Sequence, residues 1–138
     1  MNPHEMLKAD LHVHTDHSKD SRTSPRDVVA RALELGFDAI AVTDHNTVSG
    51  SLEAEKAALG SPLIVIPGQE VLCQEGEVIV LGLRKTLPNK APCLAIMEQA
   101  RKSGGFVIAP HPFDLMRKGL GRSLLPSIGF IDAVEVFN

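Results

Sequence analysis

With 138 residues, 43% of them hydrophobic, the chain has the size and composition of one globular domain, residues 1–138, or of part of a larger one. A net charge of −3 excludes the broad basic surface of a general nucleic-acid or membrane binder. No apolar run nears the ~18 residues that span a bilayer, and "MNPHEMLKAD" lacks a signal peptide's apolar core, so the expected compartment is the cytoplasm.

Leu11 and Val13 alternate with His12 and His14, the period of a short strand with one polar face. "TSPRDVVARALELG" follows as a helix: Ser24 can cap it, Pro25 suits the first turn, Asp27 stands where a capping box wants an acid, and Gly36 can end it. "DAIAVTD" reads as a buried strand, "SGSLEAEKAALG" as a second helix ending at Gly60, and "PLIVIPG" as a third strand. "EVLCQEGEVIVLGL" reads as a hairpin turning around residues 74–76. "APCLAIMEQARKSGG" is a helix with an apolar stripe through Leu94, Met97 and Ala100, and "FVIAP" and "DAVEVF" are two further strands. Cys73 and Cys93 form no CxxC pair and read as buried thiols in a reducing compartment. Strands alternating with helices at this spacing predict a parallel α/β fold.

Metal-type side chains recur at the ends of the apolar runs. His12 and His14 close the first strand, Asp44 and His45 follow the second, Glu70 the third and His111 "FVIAP", while Glu135 and Asn138 lie in or just after the last strand. In a (β/α) barrel those strand ends converge on one rim, where active sites form. Residues two apart on a strand share a face, so His12 and His14 can grip one cation, and an HxH pair alone is as well explained by exposed polar residues. The additional Asp20, His45, Glu70 and His111 favour zinc, manganese or iron bound by mixed imidazole and carboxylate ligands. No phosphate-cradling Gx5GK[ST] loop and no GxSxG elbow is present, which leaves metal-assisted hydrolysis. His4 has the reading of a frayed terminus. Asp16 and His17 read as solvent-facing polar residues, with substrate contact as the other reading. Asp44 fits a ligand or catalytic acid as well as an acid orienting a ligand histidine, and Asp10 has the further reading of a turn residue. Arg117, Lys118 and Arg122 form a basic loop after His111 that reads as solvated surface or, beside a metal site, as a holder of a substrate phosphate.

The motifs "DLHVHT", "AVTDHNTVSG", "IPGQE", "IAPHPF" and "DAVEVFN" occur in order along nearly the whole chain and resemble those of the PHP family, the polymerase and histidinol phosphatase domain. The nearest likeness is to short stand-alone PHP phosphoesterases. The resemblance implies a distorted (β/α)7 barrel with two or three divalent ions (Zn, Mn or Fe). It makes His12 and His14 ligands of a first ion, Asp20 and His45 ligands of a second, Glu70 a bridge and His111 a ligand of a third. Many short relatives have a histidine where "EGEV" places Glu77, so Glu77 is the expected carboxylate replacement. Asp44 and His45 are the catalytic candidates, with Arg117, Lys118, Arg122 and His17 toward substrate.

The family closes its site with an Asp-x-His pair for which this sequence has no counterpart, so the expectation is an N-terminal portion of the barrel lacking its last strands. The implied function is a metal-dependent phosphoesterase acting on a small phosphorylated metabolite, a nucleotide or an oligonucleotide end. The alternatives are a non-catalytic metal-binding fragment and an exonuclease-type module, although the absence of Trp and Tyr leaves few platforms for stacking bases. The expected partners are the substrate and, through an open barrel edge, a second copy of the chain, with no membrane.

Overall fold

Local chemistry starts the first helix where the sequence places it. In the computed structural model, which describes residues 6–114 and 116–136, α1 runs Pro25–Glu34 with Ser24 as its cap. The Ser24 hydroxyl accepts from the Asp27 backbone N–H at 3.2 Å and donates to the Asp27 carboxylate at 2.7 Å, which settles one of the orphan donors of the first turn. After the helix Gly36 takes φ +67°, a conformation cheap only for glycine. Two further helices follow, α2 at Ser49–Ala57 and α3 at Cys93–Lys102. A short α4, Leu124–Ser127, sits between two 3-10 turns in a stretch where the sequence shows no periodicity.

Among the described residues the strands form one six-stranded sheet in chain order: β1 Ala9–Val13, β2 Ala39–Val42, β3 Ile64–Leu72, β4 Glu77–Leu81, β5 Phe106–Ala109 and β6 Ala133–Val134. The pairings β1–β2, β2–β3 and β5–β6 are parallel, whereas β3–β4 and β4–β5 are antiparallel. The parallel sheet expected from the alternating strands and helices is therefore a mixed one, with the expected hairpin built into it. The reason lies at Pro67 and Gly68, read from the sequence as the end of a strand. Instead β3 runs through them and changes partner. Residues 64–67 pair with β2, and 68–72 pair with β4 as the first arm of the hairpin. A Cβ at Gly68 would come to 2.9 Å of Leu81, Thr43 and the Val42 carbonyl, so this crossing admits no side chain.

The helices cover the outside of the sheet. Val29 and Ala32 of α1 and Ala54 and Ala58 around α2 pack on Ile40 and Val42. Ile96, Met97 and Ala100 of α3 pack on Val78, Val80 and Val107, and Cys73 and Cys93 are free thiols buried in the same cluster. Leu94, expected on the buried stripe, is exposed, and Cys93 and Ile96 take its place. A separate cluster of Ala41, Ile79, Leu81 and Ile108 lines the opposite side of the sheet. The sheet curls until Leu11 on β1 and Val134 on β6 line one cavity of about 500 Å³. The architecture is thus a half-barrel of mixed α/β type, in accord with the incomplete (β/α) barrel expected. His4 and Asn138 lie outside the described residues. No helix among the described residues is long and apolar enough to cross a membrane.

β6 is only two residues long and depends on Asp132 for its anchorage. The Asp132 carboxylate accepts from the Val107 N–H at 2.8 Å and pairs with Arg101, and its own N–H donates to Val107 O. The Val107 hydrogen bond, helped by Arg101, holds the Asp132 pKa below its ordinary 3.8. Its stabilisation is therefore present above that value and fades as pH falls through the lower folded pKa. Asp132→Asn should lower the urea midpoint at neutral pH and flatten its decline in acid. An unchanged acid limb would mean that the anchor contributes nothing.

Candidate metal centre

β1 ends with His12 and His14 on one face, and the C-terminal ends of β2, β3 and β5 bring His45, Glu70 and His111 to the same place. Glu70 is the centre. Its side chain is 1% exposed, and its Oε2 lies 3.5 Å from His12 Nε2, 3.2 Å from His14 Nε2 and 3.2 Å from His45 Nδ1, while its Oε1 lies 3.1 Å from His111 Nε2. Asp20 meets His45 Nε2 at 3.1 Å, and Glu77, one register step beyond the hairpin turn, approaches His45 and His111 at 3.8 and 4.0 Å. Among the described residues three overlapping groups could each hold a cation: His12, His14 and Glu70; His14, Asp20 and His45; and His45, Glu70 and Glu77.

Hydrogen-bond partners on the far side of the rings decide which nitrogen lone pairs face inward. The Ser18 hydroxyl donates to Asp44 Oδ1 at 2.8 Å, so at 3.2 Å it can only accept from His14 Nδ1–H. His12 Nδ1 lies 3.0 Å from the Glu135 carboxylate, an acceptor only, and so carries a proton as well. Both neutral rings then turn bare Nε2 atoms toward each other, 3.0 Å apart, and toward the Glu70 carboxylate. Lone pairs so placed repel one another until a positive charge sits among them, so the donor set fits a divalent ion. His111 Nδ1 is buried without a hydrogen-bond partner.

Without an ion, a proton at these Nε2 atoms supplies the positive charge instead. Burial opposes the ionisation of Glu70, yet hydrogen bonds from His12 and His14 and the neighbouring imidazole charges outweigh it and hold its pKa far below the ordinary carboxylate range. Burial likewise opposes protonation of His12, and Glu70 and Glu135 overcome it, raising the pKa. Glu77 moves the other way: burial and the Glu70 charge push it up. The cluster therefore holds positive charge more tightly than separate side chains would.

The cluster opens into a cavity of about 370 Å³ lined by His12, His14, Asp20, His45, Glu70, Glu77 and His111, with Met116, Arg117 and Lys118 at one side. The structure thus brings together every residue expected to ligate, with Arg117 and Lys118 beside them. Three expected site residues lie elsewhere. Asp44 is fully buried, its carboxylate taken up by Thr15 N–H at 2.7 Å, Thr15 O–H at 2.7 Å and Ser18. Of the roles expected for Asp44, orienting a ligand histidine matches this position, because Ser18 links it to His14. His17 turns to Ser49 at 2.9 Å and Glu53 at 3.1 Å. Arg122 lines a neighbouring, mostly apolar cavity with Phe113 and Leu125. Ser18 is not legible in the sequence, since a lone serine in a polar loop carries no pattern. Glu135 stands at a strand end, where the sequence alone assigns it no role.

A curled α/β sheet with a histidine and carboxylate cluster at the strand C-termini is a half-barrel whose rim could hold a metal ion. The family model of the PHP domain matches residues 10–110, and the chain belongs to that family. An uncharacterized protein of Methanocaldococcus jannaschii is 35% identical over 142 residues, 96% of this chain and 82% of its own length. An error-prone DNA polymerase of Pseudomonas syringae is 30% identical over 115 residues, 81% of this chain and 11% of its own. A two-domain protein of Bacteroides vulgatus, described as containing a predicted PHP-like metal-dependent phosphoesterase, shares the fold with a TM-score of 0.77 at 22% identity. The match covers 94% of this chain and 44% of that one. The chain thus spans only part of the longer proteins it matches.

Proposed function

We propose that this chain is a metal-dependent phosphoesterase that hydrolyses a small phosphate ester or nucleotide. The observation that carries the reading is the convergence of four imidazoles on the buried Glu70 carboxylate, inside a cavity with Arg117 and Lys118 at its side. His12, His14, Asp20, His45, Glu70, Glu77 and His111 would hold two or three divalent ions of the zinc, manganese or iron type. When bound, such ions neutralise charge on a phosphoryl oxygen and lower the pKa of water, so hydrolysis needs no side-chain nucleophile. The protein's own part is to aim the ligands and to hold the phosphate with Arg117 and Lys118. The relation to error-prone DNA polymerases supports, as a second reading, action on an oligonucleotide end. The unpaired edges of β1 and β6 favour self-association through the open side of the sheet.

The test is to load the protein with zinc, manganese or iron, measure metal per chain, and assay a nitrophenyl phosphate, a bis-nitrophenyl phosphate and a short oligonucleotide. Hydrolysis abolished by chelator, and lowered about 100-fold or more by His111→Ala, is the expected result. Tight metal binding with no turnover of any substrate would make the chain a non-catalytic metal-binding unit. Salt-sensitive preference for the oligonucleotide would favour the nucleic-acid reading.

A further inference from the structure

The last strand contributes one side chain to the centre from outside the cluster. Glu135 follows β6, and its backbone N–H donates to Ala109 O at 2.9 Å, which sets it beside the end of β5. Its side chain, 15% exposed, reaches across the open side of the half-barrel to β1, where Oε1 lies 3.0 Å from His12 Nδ1. Its other oxygen, Oε2, accepts the backbone N–H of His111 at 2.9 Å. That second bond falls on a strained residue. His111 has φ +28°, a region that side-chain-bearing residues seldom enter. The turn is also crowded, since a Cβ at Gly119 would fall against the His111 and Pro112 carbonyl oxygens.

One carboxylate thus acts on both imidazoles that flank Glu70 from opposite ends of the chain. On His12 it fixes the proton at Nδ1 and leaves Nε2 bare toward the cluster. On His111 it holds the backbone turn that swings the ring to Glu70. We propose that Glu135 is a positioning residue of the metal centre: it sets the His12 tautomer, clamps the His111 backbone, and joins β1 to β6 through the site. The metal-affinity part rests on the reading of the cluster as a metal centre. The tautomer part does not, because it concerns the protein alone.

Two measurements on the 138-residue chain separate them. The first is long-range ¹⁵N–¹H correlation of the imidazoles in chelator-treated protein at alkaline pH, where the rings are neutral; the chain's six histidines keep the spectrum assignable. Wild type should show His12 protonated at Nδ1, and Glu135→Ala should shift His12 toward Nε2–H, the form favoured in free imidazole side chains. The second is calorimetric titration with zinc or manganese. Glu135→Ala should weaken binding about 10- to 100-fold, the usual loss when a carboxylate behind a ligand histidine is removed. Glu135→Gln, with a single acceptor oxygen for two donors, should fall between the two and keeps the test open if the alanine variant does not fold. A wild-type His12 carrying its proton at Nε2 overturns the proposal, as does a Glu135 variant with unchanged tautomer and metal affinity. A wild type that binds neither metal while showing the expected tautomer shift would sink the metal reading and leave Glu135 as the residue that orients His12.

Discussion

Glu70→Gln should strip the protein of most of its bound metal and lower phosphoesterase turnover by about 100-fold or more, a loss of roughly 2.7 kcal/mol in transition-state stabilisation at the lower limit. The substitution keeps size and shape but removes the charge on which four imidazoles converge and replaces one acceptor oxygen by an amide that repels incoming cations. The two groups that include Glu70 would each lose its charge, one keeping only two imidazoles and the other His45 with Glu77, while His14, Asp20 and His45 stay intact. In the metal-free protein the same change should also lower the thermal midpoint, because the imidazoles around Glu70 favour its ionised form in the folded state and would lose their counter-charge. Metal content per chain and the thermal midpoint in chelator, measured together, check both halves. Full metal loading in the Gln variant would show that Glu70 shapes the site without binding.

The parts of this protein that were legible in its sequence are those written in local chemistry. α1 starts where Ser24, Pro25 and Asp27 dictate, and the ligand candidates stand at strand ends because short apolar runs stop just before them. His12, His45, Glu70 and His111 could be placed on one rim without knowing a distance, since parallel strands feeding helices deliver their C-terminal ends to the same side. What was not legible depends on contacts between distant segments. Pro67-Gly68 looks like a break because both residues disfavour strands, yet Gly68 is there for the close approach of Val42, Thr43 and Leu81. The roles of Ser18 and Glu135 are likewise invisible locally. Each acts through a histidine brought to it by the fold, Glu135 across 123 residues of chain. Asp44 shows the same limit from the other direction, because its position beside His45 suggested catalysis while its side chain points into the core.

That placement leads to a second large effect, one that separates a catalytic acid from a structural one. Asp44→Ala should destabilise the fold by several kcal/mol. It would leave Thr15 N–H, Thr15 O–H and the Ser18 hydroxyl without their acceptor in a fully buried site, at about 1–3 kcal/mol for each unsatisfied group. Against a total stability of about 5–15 kcal/mol, such a loss unfolds much of the population. Asp44→Asn should be far milder. Its carbonyl oxygen can take the place of Oδ1 and accept from Thr15 N–H and Ser18, while its amide faces the Thr15 hydroxyl, which can turn to accept. Gly50→Ala should behave like the alanine variant, because a Cβ there would occupy the space of Asp44 Oδ2 and Thr15 Oγ1. The two Asp44 variants also answer the chemical question. Ser18 hangs between Asp44 and His14, so in the Asn variant His14 keeps its partner, and metal affinity and turnover should stay within a few-fold of wild type. Urea unfolding of the three variants and metal titration of the Asn variant supply the measurements. A stable Asn variant that has lost turnover would put Asp44 in the chemistry after all.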